Sequence, residues 1–421
     1  MKSGWTHRAK RIVAVTGLVA AIAVPGVLPG SAHAAPPTPV SDHCPHKVKT
    51  PPAVDASEVV QPGATTPPPL PVPKPAVGGE RLAGCGLVAD PAAGPVPPGL
   101  TSAGWLVADL ESGHVIAAKD PHGRYRPAST IKVLLALVAL RDLDLDAVVE
   151  PTVEDWSTEG DSCGMGPGGH YTTRDLVTGL LMVSGNDCAN ALARSLGGRE
   201  QALTKMNELA ASLGAHDTRA ASPSGLDAAG MSTSPYDLAL LYRQAMRNNT
   251  FREMIAKPTY RFPGYPPRPD IPGDKPHPAY DMYTTNHLLL EGYPGALGGK
   301  TGYTDDALKT FVGAVQRNGR TLVIVQMYGL SVGGSMYWDQ AKSLLDYGFR
   351  AAPTVSVGLL VEATPAPAAS TPAARPEVTQ RAGPSSDSTG STSVQVLIGL
   401  VAALAAVVLL LLGLRFFGSK R

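Results

Sequence analysis

The chain has 421 residues, with 36 lysines and arginines against 35 aspartates and glutamates, for a formal net charge of +1. A balance this close to zero leaves no electrostatic footprint for nucleic acid. The length admits two or more average domains, but apolar ends and proline-rich stretches shrink the part that can fold around a core.

At the start, Lys2, Arg8, Lys10 and Arg11 flank an apolar run over residues 12–27, and Ala32-His33-Ala34 fits a small-x-small cleavage pattern. This predicts a secretory signal peptide over residues 1–34. Pro25 and Pro29 break the run and argue against an uncleaved anchor, and no cysteine marks the cleavage site for a lipid. Residues 35–81 are crowded with proline and read as a semi-rigid, mostly extended arm. Residues 82–360 form the predicted folded domain, and residues 361–393, rich in Ala, Pro, Ser and Thr, a stalk. Residues 394–414 carry no charge, which predicts a transmembrane helix. The basic tail 415–421, with Arg415, Lys420 and Arg421, then belongs on the cytoplasmic side. The expectation is an exported domain held at the cell membrane by a single C-terminal span.

Four cysteines fall in the exported part: Cys44, Cys85, Cys163 and Cys188. An even number in an oxidising compartment predicts disulfides. Three pairings are open; proximity favours Cys44 with Cys85, clipping the arm to the domain, and Cys163 with Cys188, bracing the region near Ser184. No Cys-x-x-Cys or Cys-x-x-His spacing suggests a metal.

Within the domain, residues 104–109 and 114–118 read as strands around the turn Glu111-Ser112-Gly113. Residues 308–317 and 321–328 are β-rich around Asn318-Gly319, a strong hairpin signal. Helical patterns cover 130–140, 173–183, 187–196, 200–213, 235–247 and 337–349. Strands at both ends with helices between them predict an α+β fold, one antiparallel sheet beside a helical lobe. Residues 258–278, rich in proline and aromatics, read as an irregular surface loop.

Three short motifs carry the chemistry. Ser129-x-x-Lys132 opens a helix whose next eight residues are all apolar, so its N-terminus faces an interior cleft. Spacing of three places both side chains on one face, and a buried amine can be neutral and accept the serine proton. The helix N-terminus offers backbone N–H groups to a developing oxyanion. Ser184-Gly185-Asn186 joins two helical segments, where Ser184 can relay a proton and Asn186 can bond a substrate amide. Lys300-Thr301-Gly302 precedes the second hairpin, where Lys300 supplies charge for a carboxylate and Thr301 a hydroxyl. In this order the three read as the site of a serine acyl-transfer enzyme with a lysine base.

The ordered triplets resemble those of the penicillin-binding-protein and β-lactamase superfamily. Supported by Ser224-Gly225-Leu226-Asp227, Ser234-Pro235-Tyr236-Asp237 and Thr285-Asn286-His287, the domain is most similar to the low-molecular-mass D-alanyl-D-alanine carboxypeptidases, serine peptidase family S11. The resemblance implies a five-stranded antiparallel sheet flanked by helices, with Ser129 as acylated nucleophile, Lys132 as base and Ser184 as relay. It implies Asn186, Lys300 and Thr301 as substrate-binding residues and the backbone N–H groups of Ser129 and Tyr303 as oxyanion hole. The implied partners are peptidoglycan stem peptides ending in D-Ala-D-Ala, with β-lactams as covalent inhibitors; no metal or cofactor is implied. A class A β-lactamase would need a glutamate for deacylation, and residues 218–223 hold no acid. A non-catalytic wall-binding protein would be expected to have lost Ser129 or Lys132. Endopeptidase action on cross-linked peptides stays open.

Overall fold

The computed structural model describes residues 44–330, 334 and 336–361. The expected signal peptide, stalk and membrane helix lie outside the described residues. In chain order the strands of the first part are β1 (Leu87–Ala89), β2 (Gly104–Asp109) and β3 (His114–Lys119). A helical lobe follows, built from α1 (Lys132–Asp142), α2 (Val153–Trp156), α3 (Thr173–Met182), α4 (Asn186–Ser195), α5 (Arg199–Ser212), α6 (Pro235–Ala245) and α7 (Asn249–Ile255), with β4 (Val148–Val149) and β5 (Tyr171–Thr172) paired inside it. Then come β6 (Thr259–Phe262), β7 (Tyr280–Tyr283), α8 (His287–Leu290), β8 (Ala296–Thr304), β9 (Leu308–Arg317), β10 (Arg320–Gly329), α9 (Tyr337–Arg350) and β11 (Gly358–Leu359).

The sheet runs β3-β2-β10-β9-β8, antiparallel throughout, which is the five-stranded core the resemblance implied. Two short strands extend it: β1 pairs with the end of β3 near Lys119 and β11 with its start near His114. Together they cover the edge of β3, where unpaired backbone groups would otherwise invite a second chain. Every residue of β2 is buried, because both faces of the sheet are covered. Alternation along the strand decides the face: Leu106 and Ala108 join the core under the helical lobe, and Trp105 and Val107 the core under α9. Helix α1 is buried almost all round from Lys132 to Ala139 and forms the axis of the lobe.

Local signals explain much of this. Thr172 and Asp175 form a reciprocal capping box at the start of α3, and Ser234 caps α6 with Pro235 in its first turn. Asn318 and Gly319 both take positive φ, the geometry of a two-residue hairpin turn. Both disulfides form in the pairing that proximity favoured, Cys44–Cys85 and Cys163–Cys188, with Cα atoms 5.4 and 6.4 Å apart.

Two expectations are corrected. The membrane span is not borne out: no helix among the described residues is long and apolar enough to cross a bilayer. A crossing takes about 20 residues of helix, and α5 and α9 have 14 each. The segment 258–278 is not wholly irregular: β6 pairs with β7 as a two-stranded ribbon, continued by the bridge between Tyr265 and His277. The Lys300 motif precedes the β9–β10 hairpin, as expected, and is itself part of the sheet, on β8.

Candidate active site

Ser129 does not sit in the α-helix itself. It lies in a 3-10 turn, Ala128–Ile131, that leads into α1 at Lys132. Ala128 is held at φ 45°, a left-handed conformation uncommon for a side-chain-bearing residue. Strand β8 presses on this turn so closely that a Cβ at Gly302 would lie 2.7 Å from Ser129 N. Only glycine permits that approach. Strand β9 ties down the same turn, since Thr310 Oγ1 donates to Pro127 O at 2.8 Å.

Lys132 is fully buried, and its Nζ faces four oxygen atoms. It lies 2.7 Å from Ser129 Oγ, 2.7 Å from Asn186 Oδ1, 2.5 Å from Ser224 O and 3.5 Å from Ser184 Oγ. The Asn186 and Ser224 oxygens can only accept. A neutral amine therefore directs its two N–H groups to them and keeps its lone pair for Ser129. Burial pushes the Lys132 amine well below its usual range, the charge of Lys300 adds to that, and Asp161 and Asp187 oppose it.

Ser184 follows the end of α3 with φ 66°, again left-handed and buried, so the bend that joins α3 to α4 aims its hydroxyl at Lys132. Asn186 begins α4 and is held at three points. Its N–H donates to Asp161 O at 2.7 Å, its Nδ2 to Glu159 O at 2.8 Å, and its Oδ1 receives Lys132. The loop supplying those carbonyls is pinned by the Cys163–Cys188 disulfide and by Asp187, which accepts from Ser162 Oγ and the N–H groups of Cys163 and Met165.

Lys300 points beneath β8 rather than into open solvent. It is fully buried, its Nζ donates to Thr301 O at 2.6 Å, and burial lowers its pKa to about 7. Thr301 Oγ1 lies 2.8 Å from Thr285 Oγ1. A cavity of about 360 Å³ opens over this arrangement, lined among others by Ser129, Asp161, Ser184, Asn186, Thr301 and Tyr303. Among the described residues β8 ends the strand order, so its outer edge is available to an extended peptide beside Ser129.

All the expected site residues thus converge, with Lys132 and Lys300 below the cavity surface rather than lining it. Sequence reasoning gave no role to Asp161, Thr285 or the Ser224 carbonyl. The last is a backbone atom, and the other two belong to segments whose placement depends on the disulfide and on the ribbon. Among the described residues, two side-chain groups lie close enough to be weighed as metal ligands. The first contains Cys163 and Cys188, which are joined to each other; in the second, His122 and Asp217 bond each other, and Asp237 accepts from Asp217 N and Thr218. Neither argues for an ion.

Comparison with known proteins agrees with this geometry. The chain is 48% identical over 269 residues to the D-alanyl-D-alanine carboxypeptidase DacB2 of Mycobacterium tuberculosis, covering 63% of this chain and 88% of that one. It superposes on the crystal structure of a D-alanyl-D-alanine carboxypeptidase from the same organism with a TM-score of 0.58 at 47% identity, covering 63% of this chain and 97% of that one. The DD-transpeptidase of Streptomyces K15 matches with a TM-score of 0.55 at 27% identity, covering 61% and 99%. The family model for D-alanyl-D-alanine carboxypeptidases, peptidase family S11, matches residues 92–330, and the chain belongs to that family.

Proposed function

We propose that the chain is a serine D-alanyl-D-alanine carboxypeptidase that trims peptidoglycan stem peptides and is acylated by β-lactams. The observation that carries this reading is the position of Lys132 Nζ, 2.7 Å from Ser129 Oγ with two acceptor-only oxygens on its other sides. An extended peptide lies along the free edge of β8 with its terminal carboxylate toward Thr301 and the charge of Lys300. Ser129 Oγ attacks the carbonyl carbon of the penultimate D-alanine as its proton passes to Lys132. The N–H groups of Ser129 and Tyr303 receive the oxyanion, and their fixed dipoles stabilise it without reorganisation. Collapse breaks the C–N bond, and the departing D-alanine amine takes a proton from Lys132 through Ser184. Water then cleaves the acyl ester by the same proton route, regenerating Ser129.

The test is to incubate the purified chain with a fluorescent penicillin and with a pentapeptide ending in D-Ala-D-Ala. Covalent labelling and release of free D-alanine are expected from the wild type, and neither from Ser129→Ala. Labelling that persists in Ser129→Ala, or a wild type that releases no D-alanine, overturns the reading.

A further inference from the structure

Residues 44–81 lie outside the stretch matched by the family model, and the reaction above asks nothing of them. Pro51 apart, none of them is buried, yet their polar contacts converge on the segment that leads into Ser129. The arm is stapled to the domain by Cys44–Cys85. His46 O accepts from Arg124 N at 2.8 Å, opposite the side on which Tyr125 bridges Thr233. The Arg124 guanidinium donates to Val48 O, Leu70 O and Pro71 O at 3.1, 2.6 and 2.9 Å.

The next arginine links the two segments that carry the oxyanion-hole donors of the reading above. Arg126 stands three residues before Ser129, and Asp306 three residues after Tyr303. Arg126 Nε lies 2.7 Å from Glu58 Oε1 and 3.8 Å from Asp306 Oδ2, and Arg126 Nη1 donates to Pro51 O at 2.8 Å. The side chains of Arg126 and Asp306 are each 1% exposed and that of Glu58 27%. Asp306 is itself held by the arm, accepting from Val54 N and from Ser57 Oγ at 3.0 Å. The arm therefore grips both members of an ion pair that joins the Ser129 turn to the end of β8. A buried guanidinium stripped of a close carboxylate is strongly destabilised and would have to move or draw in water.

We propose that the arm is a positioning element for the oxyanion hole. Glu58, by holding Arg126 against Asp306, fixes the separation between the N–H groups of Ser129 and Tyr303. The proposal rests on the carboxypeptidase reading given above. The two donors must reach one oxygen at about 2.7–3.1 Å, and a misplacement of about 1 Å can cost roughly a hundredfold in rate. A strap that merely stabilised the fold would raise the melting temperature without affecting the rate of folded molecules.

The experiment measures acylation by a fluorescent penicillin over a range of concentrations, well below the melting temperature of each variant. Glu58→Ala is expected to lower the maximal acylation rate about tenfold, with the half-saturating concentration little changed. Glu58→Gln, which keeps an acceptor for Arg126 Nε, should recover part of that loss. A Glu58→Ala chain that melts earlier but acylates at the wild-type rate overturns the proposal. If Glu58→Ala does not fold, Ser57→Ala, which deletes one hydrogen bond to Asp306, takes the same assay; a lowered maximal rate supports the proposal and an unchanged one overturns it. No labelling of the wild type would overturn the carboxypeptidase reading and this proposal together, whereas a labelled wild type with an unaffected variant overturns this proposal alone.

Discussion

Lys132 Nζ lies 2.7 Å from Asn186 Oδ1, and that contact decides where the amine can take a proton. The amide oxygen and Ser224 O each claim one N–H, so the remaining orbital faces Ser129. Asn186→Ala would free the amine to turn and would release the Glu159 carbonyl from Nδ2. The expected result is a fall of roughly 10²-fold or more in acylation rate, within the range that a positioned base contributes. Stopped-flow acylation of the folded variant checks it, and a rate within a factor of two of wild type would refute the assignment.

The two buried lysines make opposite demands on pH. Lys132 must be neutral to act as base, so the rate falls as pH drops through its lowered pKa. Lys300 must be protonated to meet a carboxylate, and burial brings its pKa to about 7, so kcat/KM for the peptide should decline as pH rises through that value. Lys300→Arg keeps the charge at all relevant pH, and should move the alkaline limb beyond the assay range. Asp161 raises the pKa of both lysines, so Asp161→Asn should shift both limbs toward lower pH. A pH–rate profile identical in wild type and Lys300→Arg would show that Lys300 is not the group titrating.

Gly302 tests the contact between β8 and the Ser129 turn. An alanine Cβ there would meet Thr310 Oγ1 at 2.5 Å and Ser129 N at 2.7 Å, and the second is backbone that cannot swing aside. Overpacking of this kind costs about 1–3 kcal/mol in stability, while the displacement falls on an oxyanion donor. Gly302→Ala is therefore expected to melt a few degrees lower but to lose about 10²-fold in acylation. Equal proportional losses of folded fraction and activity would mean that the contact is structural alone.

The motifs were legible because each is local: a serine and a lysine one turn apart, a Ser-Gly-Asn bend, and a Lys-Thr-Gly stretch. Asn318-Gly319 placed the last hairpin through its turn chemistry. Strand β8 was harder to see, since Gly298, Gly299 and Gly302 have low strand propensity and their reason for being there is the close approach of Ile255, Val312 and Ser129 respectively. The ribbon β6–β7 was hidden by the prolines around it, which sit in its connecting segment rather than in the paired residues. The arm's grip on Arg124 and Arg126 has no sequence signal, because the acceptors are mostly backbone carbonyls that any residue carries.

Asp227, just past the Ser224-Gly225-Leu226 stretch, gives a pH-dependent stability test beside the same cluster. Burial raises its pKa to about 6, Asp306 and Glu58 add to the rise, and Thr304 and Arg126 oppose it. Its Oδ1 is buried without a hydrogen-bond partner. Because the folded state holds the proton more tightly than the unfolded state, the wild type loses stability as pH rises from about 4 to 6 and stays lower above that window. Asn at this position removes the buried charge and does not titrate. Asp227→Asn should therefore melt higher than the wild type at pH 7, with the difference shrinking through pH 6 and vanishing near pH 4. Thermal denaturation across that range checks it; a difference independent of pH would show that Asp227 does not titrate there, and a lower melting temperature at pH 7 would show that its carboxylate is stabilising.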